Sequence, residues 1–125
     1  MLSSAVSKKI LVVDDDEGIS NAISLILELE GYVVETTLKG DETYHKIESF
    51  KPDVILLDVL ISGTDGRRIC HRLKQDRHTS QIPVIMISAH PTAEQSVRDC
   101  GAEAFLAKPF NSEELLGIVS KYAEG

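Results

Sequence analysis

Five polar side chains of this chain stand where short apolar runs end: Asp14, Asp15, Asp58, Ser88 and Lys108. The runs before them occupy residues 10–13, 54–57, 82–87 and 104–107. A short and fully apolar run is typical of a strand that is buried on both faces. In an open parallel sheet, ligands bind beyond the carboxyl ends of the strands. We therefore expect these five side chains to lie together at one edge of a sheet.

The residue types in this group favour one kind of chemistry. Three crowded carboxylates repel one another, and a hard divalent cation such as Mg²⁺ relieves that repulsion because it prefers carboxylate oxygens. A bound cation with open positions can then hold phosphoryl oxygens. Lys108 adds a positive charge and Ser88 a hydroxyl donor. The group therefore predicts a carboxylate nucleophile, Asp58, that accepts a phosphoryl group.

The strands and helices that must position these residues can be predicted from the spacing of apolar residues and from the residues that end each apolar run. We expect five strands, at residues 10–13, 32–37, 54–57, 82–87 and 104–107. Helical spacing of apolar residues predicts helices at 19–29, 40–50, 67–75, 92–100 and 111–122. Asn111 and Glu114 have the spacing of a capping box at the start of the last helix. Alternating strands and helices predict an α/β fold with right-handed crossovers and a parallel sheet covered on both faces.

Composition narrows the class of protein. The 125 residues are enough for one domain, with its core at about 8–123. The formal charge of −7 argues against a general nucleic-acid surface, and no apolar run is long enough to span a membrane. Residues 1–6 lack the pattern of a signal peptide, so a cytoplasmic location is the default. Cys70 and Cys100 form no Cys-x-x-Cys motif and are interpreted as packing residues, and the four histidines as surface residues.

Taken together, these motifs resemble the receiver domain of bacterial two-component response regulators. The matching segments lie in the family's order and spacing and cover nearly the whole chain: residues 10–15, 56–58, 65–66, 88–89 and 108–110. The resemblance implies a flavodoxin-like, doubly wound (βα)5 fold whose five-stranded parallel sheet has the order 2-1-3-4-5. It also implies a cis peptide bond between Lys108 and Pro109.

The resemblance assigns a role to each site residue. Asp58 would be the phosphoacceptor, and Ser88 and Lys108 would contact the phosphoryl group. The Mg²⁺ (or Mn²⁺) ligands would be Asp58, Asp15 directly, Asp14 through water, and the backbone carbonyl of Leu60. Ser88 would also be a switch residue, together with Phe105 at the family's aromatic switch position.

The same resemblance implies binding partners, and it also shows where this sequence departs from the family's usual residues. Phosphate would come from a sensor histidine kinase or a histidine phosphotransfer protein, and the last two helices with strand five would bind a downstream protein. Ile61 and Ser62 stand where the family usually has Met-Pro, and Ser62 and Gly63 remove a rigid turn, which predicts a more mobile loop. Apolar Leu60 cannot orient water, which predicts slow hydrolysis of the phosphoaspartate. Phe105 lacks the hydroxyl of the commoner Tyr, so switching would depend on packing.

Of three alternatives, two stay open on the sequence and the flavodoxin-like one is excluded. A phosphatase of the haloacid-dehalogenase type would use Asp14 as nucleophile and Asp16 as acid, leaving Asp58 without a role. A flavodoxin-like cofactor site is excluded because the acids at residues 14–17 would repel a phosphate. A receiver-like adaptor that is never phosphorylated would retain the same residues. The sequence also leaves open whether the chain acts alone or belongs to a longer regulator.

Overall fold

A computed structural model of the protein describes residues 7–61, 63–90 and 93–124. Its main sheet has five parallel strands: β1 (Lys9–Val13), β2 (Val33–Thr37), β3 (Val54–Asp58), β4 (Val84–Ser88) and β5 (Ala104–Ala107). The helices are α1 (Glu17–Leu29), α2 (Thr43–Phe50), α3 (Gly66–Gln75), α4 (Ala93–Asp99) and α5 (Ser112–Glu124). The strand order is β2-β1-β3-β4-β5, which confirms the predicted doubly wound topology.

Two hydrophobic clusters, one on each side of the sheet, form the core. Alternate strand residues divide between them, so Leu11 lies in the first cluster and Val12 in the second. Residues of α2, α3 and α4 complete the first cluster, and residues of α1 and α5 complete the second. Strands β1, β3 and β4 are covered on both sides and are almost wholly buried. This double burial explains why they are continuous apolar runs in the sequence.

Local signals place the helix ends close to the predicted positions. Asp16 is the N-cap of α1 and accepts a hydrogen bond from the Ile19 amide at 3.1 Å. Asn111 and Glu114 form the expected reciprocal capping box, with bonds of 2.8 and 3.0 Å. The predicted start of the fourth helix at Thr92 lies outside the described residues. Among the described helices, none has the length and apolar character that crossing a bilayer requires.

A short two-stranded antiparallel ribbon follows β3 and was not predicted. It pairs Leu60–Ile61 with Thr64–Asp65. Gly63 between them has a φ of +77°, a conformation that glycine adopts without steric cost. Ser62, on which the prediction of a mobile loop rests, lies outside the described residues, and that prediction stays open. The ribbon places Gly66 directly beside the end of β3, where its amide donates to the Val59 carbonyl at 2.6 Å.

We predict that Gly66→Ala destabilises the fold. A Cβ at this position would collide with the carbonyl oxygen of Asp58. Overpacking of this kind costs about 1–3 kcal/mol. The matched control is Gly117→Ala in α5, where a Cβ meets no atom within 4 Å and helix propensity should add up to about 1 kcal/mol. Urea unfolding of both variants measures the difference, and equal stability of the two would contradict the close approach at Gly66.

Candidate functional site

The carboxyl edge of the sheet brings together the side chains that the sequence placed at the strand ends. Asp14 and Asp15 follow β1, Asp58 is the last residue of β3, and Ser88 is the last of β4. Lys108 follows β5, and its amide donates to the Ser88 carbonyl at 2.9 Å. The parallel registers of β1, β3, β4 and β5 align these ends. The prediction that one edge holds all five residues is therefore confirmed.

Asp14 is the most deeply buried acid of the site, with no exposed surface. Its Oδ1 accepts a hydrogen bond from the Asp16 amide at 2.9 Å, and its Oδ2 lies 3.2 Å from Lys108 Nζ. Its backbone is fixed as well, because its amide donates to the Thr37 carbonyl at 3.2 Å. These contacts hold the carboxylate in one orientation toward the centre of the site.

Asp58 lies at the centre of the group and is 8% exposed. Its Oδ2 is 3.3 Å from Lys108 Nζ, and its Oδ1 accepts a hydrogen bond from the Leu60 amide at 3.3 Å. The ammonium group of Lys108 therefore contacts the carboxylates of both Asp14 and Asp58. The single positive charge of Lys108 compensates part of the negative charge of these two carboxylates, and a bound cation could compensate the rest.

The donor set fits a hard divalent metal ion. One carboxylate oxygen each from Asp14, Asp15 and Asp58 lies within 4.8 Å of the others. Asp15 is exposed whereas the other two acids are buried, so the group opens to solvent on the side of Asp15. All three donors are carboxylate oxygens, which suit Mg²⁺ or Mn²⁺ and do not suit softer metals. The arrangement can therefore hold such an ion.

The protonation of the site reflects its crowding. Burial, followed by the negative charge of Asp14, raises the pKa of Asp58 to about 6, although Lys108 opposes the shift. Burial lowers the pKa of Lys108, but the carboxylates of Asp58 and Asp14 outweigh that effect and raise the pKa overall. At neutral pH Asp58 is therefore mostly ionised and Lys108 is charged, so the carboxylate can act as a nucleophile.

Ser88 and Phe105, the expected switch residues, lie on β4 and β5. Ser88 is buried, and its Oγ accepts a hydrogen bond from the His90 amide at 3.0 Å. It lines a small cavity of about 190 Å³ together with Leu60 and His90, next to the end of β3. Phe105 is half-buried and packs against the first core cluster, opposite Met86 in the sheet register. Leu60 is 70% exposed, and its side chain presents no polar atom to this cavity.

Sequence reasoning missed one ionic contact near the site. Arg67 forms this contact, with its Nε and Nη2 at 2.8 and 2.7 Å from the Asp65 carboxylate. Its Nη1 donates to Ser96 Oγ at 2.9 Å, so it joins the start of α3 to α4. Arg67 and Ser96 are 29 positions apart, which explains why local patterns do not reveal the hydrogen bond between them. The Lys108–Pro109 peptide bond is cis, as expected.

Comparisons with known proteins identify a family and several relatives that this chain resembles. The family model of the response regulator receiver domain matches residues 10–120. The DNA-binding dual master transcriptional regulator RpaA of Synechocystis sp. is 37% identical over 113 residues, which cover 89% of this chain and 47% of that protein. The phosphate regulon transcriptional regulatory protein PhoB of Rhizobium meliloti is also 37% identical, over 89% of this chain and 50% of its own length.

Solved structures show the same similarity in three dimensions. The receiver domain of NtrX from Brucella abortus has a TM-score of 0.84 at 30% identity and covers 92% of this chain and 98% of its own. The chemotaxis response regulator CheY4 of Vibrio cholerae has a TM-score of 0.87 at 29% identity, covering 94% of this chain and 99% of its own. The chain spans about half the length of the curated relatives it matches.

We predict that Asp58→Asn stabilises the metal-free protein at neutral pH. Because the pKa of Asp58 is raised in the folded state, the folded state holds its proton more tightly than the unfolded chain between pH 4 and 6. The ionised carboxylate therefore costs stability above about pH 6, and removing it should gain about 1–2 kcal/mol. The gain should disappear below about pH 4, where both states of the wild-type residue are protonated.

Chemical unfolding in EDTA across this pH range measures the effect. The matched control is Asp41→Asn, an exposed acid outside the cluster, which should change stability by less than about 0.5 kcal/mol. A gain for Asp58→Asn that is the same at pH 4 and pH 7.5 would contradict the assignment of the cost to the ionised carboxylate.

Proposed function

The chain belongs to the response regulator receiver domain family, whose members are phosphoaccepting switches of two-component signalling, and we propose that Asp58 is its phosphoacceptor. The observation that carries the proposal is the position of the Asp58 carboxylate, 3.3 Å from Lys108 Nζ and within 4.8 Å of oxygens from Asp14 and Asp15. We also propose that residues 1–125 form a single receiver domain, with its core at about 8–123. The family match over residues 10–120 supports them.

Phosphoryl transfer in this proposal begins with an ionised Asp58 oxygen that attacks phosphorus. The P–N bond of a donor phosphohistidine breaks as the new O–P bond forms. Lys108 Nζ, already shared between two carboxylates, then neutralises charge on a phosphoryl oxygen, and the Ser88 hydroxyl can donate to another. Bound Mg²⁺ or Mn²⁺ would neutralise further phosphoryl charge. Its ligands would be Asp15, Asp58, the Leu60 carbonyl, and Asp14 through water.

The conformational response uses Ser88 and Phe105 as switch residues. Ser88 would move toward the phosphoryl group, and Phe105 would turn further into the first core cluster, which it already contacts. Because β5 packs against both α4 and α5, this movement would alter the α4-β5-α5 face. We propose that a downstream protein binds that face, and that phosphorylation changes its affinity.

The proposed partner that supplies phosphate is a sensor histidine kinase or a histidine phosphotransfer protein in the cytoplasm. We propose no direct contact of this domain with nucleic acid or a membrane, and no catalysis beyond its own phosphorylation and dephosphorylation. RpaA is described as DNA-binding, but the matched region covers 47% of that protein. The phosphatase alternative loses support because Asp16 caps α1 and Asp58 lies at the centre of the cluster.

We predict that acetyl phosphate adds one phosphoryl group to the protein in the presence of Mg²⁺. Intact mass spectrometry should show the gain for the wild type and for the exposed-acid control Asp41→Asn. Asp58→Asn should show none because the nucleophile is lost, and Asp15→Asn should slow the reaction at least tenfold by weakening the metal site. Phosphorylation of Asp58→Asn, or a gain that EDTA does not abolish, would overturn the assignment.

We predict that the phosphoaspartate of the wild type persists for minutes or longer. Leu60 offers no group that could orient an attacking water. Leu60→Glu should accelerate dephosphorylation, by about tenfold or more, and should have little effect on stability because this side chain is 70% exposed. Leu25→Glu is the control for the added charge, because Leu25 is also an exposed leucine but lies on α1. Loss of the wild-type phosphoryl group within seconds would refute this role of Leu60.

A further inference from the structure

The two cysteines of the chain lie side by side in the core although they are 30 positions apart in the sequence. Cys70 belongs to α3, and Cys100 directly follows α4. Cys70 Sγ lies 3.5 Å from the carbonyl oxygen of Cys100, and both thiols are free. Their burial confirms the interpretation as packing residues, with exposed fractions of 0% and 6%. Two adjacent thiols, however, have a chemistry that packing alone does not use.

A cleft of about 430 Å³ between α3 and α4 reaches Cys100 from the surface. Cys100 lines the cleft and Cys70 does not. Three arginines line the cleft, Arg67, Arg68 and Arg72, of which Arg67 is paired with Asp65, and the other lining residues are His71, Ser96 and Asp99. No residue of α3 is acidic, although the whole chain carries a formal charge of −7. The cleft is therefore suited to a small anion, which would reach Cys100 first.

The environment also distinguishes the two thiols. A hydrogen bond between the two side chains, followed by weaker contributions that include the charge of Arg67, lowers the pKa of Cys100 against the opposing effect of burial. The same bond and burial raise the pKa of Cys70. Cys100 thus ionises first, and it is also the one that borders the cleft. This division of roles is that of an attacking cysteine with a resolving cysteine behind it.

We propose that Cys100 and Cys70 form a reversible dithiol–disulfide site for an anionic low-molecular-weight disulfide that enters through the arginine-lined cleft. The Cys100 thiolate attacks one sulfur of the reagent, whose S–S bond breaks, and the departing thiolate takes up a proton. Cys70 then loses its proton and attacks the Cys100 sulfur, which releases the second reagent thiol. The two cysteines lose two electrons, and the reagent disulfide gains them as two thiols.

The test treats the reduced protein with glutathione disulfide at neutral pH and measures intact mass without reductant. We expect the wild type to lose two hydrogens and to regain them with dithiothreitol. Cys70→Ser should stop at one glutathione adduct, and Cys100→Ser should not react. The proposed site would be overturned if the folded wild type does not react while the same protein, unfolded in guanidinium chloride, does react. Equal adduct formation by both serine variants would overturn the assigned roles.

Charge variants test the cleft separately from the thiols. Arg68→Gln and Arg72→Gln should each slow the reaction with glutathione disulfide about two- to fivefold. They should leave the rate with the uncharged bis(2-hydroxyethyl) disulfide unchanged. Arg77→Gln, which removes an exposed charge outside the cleft, is the matched control and should have no effect with either reagent. Equal slowing with both reagents, or no slowing at all, would overturn entry through the cleft.

Discussion

Crowding of negative charge at the carboxyl edge of the sheet is the constraint on which the site depends. Asp14 is fully buried and Asp58 nearly so, yet their carboxylates lie close enough to share the ammonium of Lys108. Uncompensated buried charge is costly, so this arrangement is stable only when the lysine is in place. Lys108 is 94 residues from Asp14 and 50 from Asp58 in the sequence. The charge balance therefore forms only when β1, β3 and β5 are assembled in one sheet.

The surroundings of the acids hold them in this unfavourable proximity. Backbone groups do most of the positioning, with the Leu60 amide on Asp58 and the Asp16 amide on Asp14. Gly66 lets α3 begin against the end of β3, where any side chain would meet the Asp58 carbonyl. The site is thus built from strand ends and backbone contacts, and the crowded negative charge is what makes a divalent metal ion a favourable occupant.

The features that the sequence revealed are those with a local signal. Buried parallel strands are continuous apolar runs, and the capping box at Asn111 needs only a spacing of three residues. The ribbon after β3 was not predicted because each of its strands has two residues, which is too few for a periodic pattern. The Arg67–Ser96 and Cys70–Cys100 contacts join residues 29 and 30 positions apart. Such contacts depend on how α3 and α4 pack against each other, and the sequence of either helix alone does not predict that packing.

The division of the core into two clusters has a consequence at β5. Adjacent residues of this edge strand belong to different halves of the interior, since Phe105 packs with the first cluster and Leu106 with the second. A displacement of β5 must therefore be accommodated by α4 on one side of the sheet and by α5 on the other. In evolutionary terms, the apolar positions of these two helices should not diverge independently. We expect substitutions in α4 and α5 to covary among homologues through their shared packing on one strand.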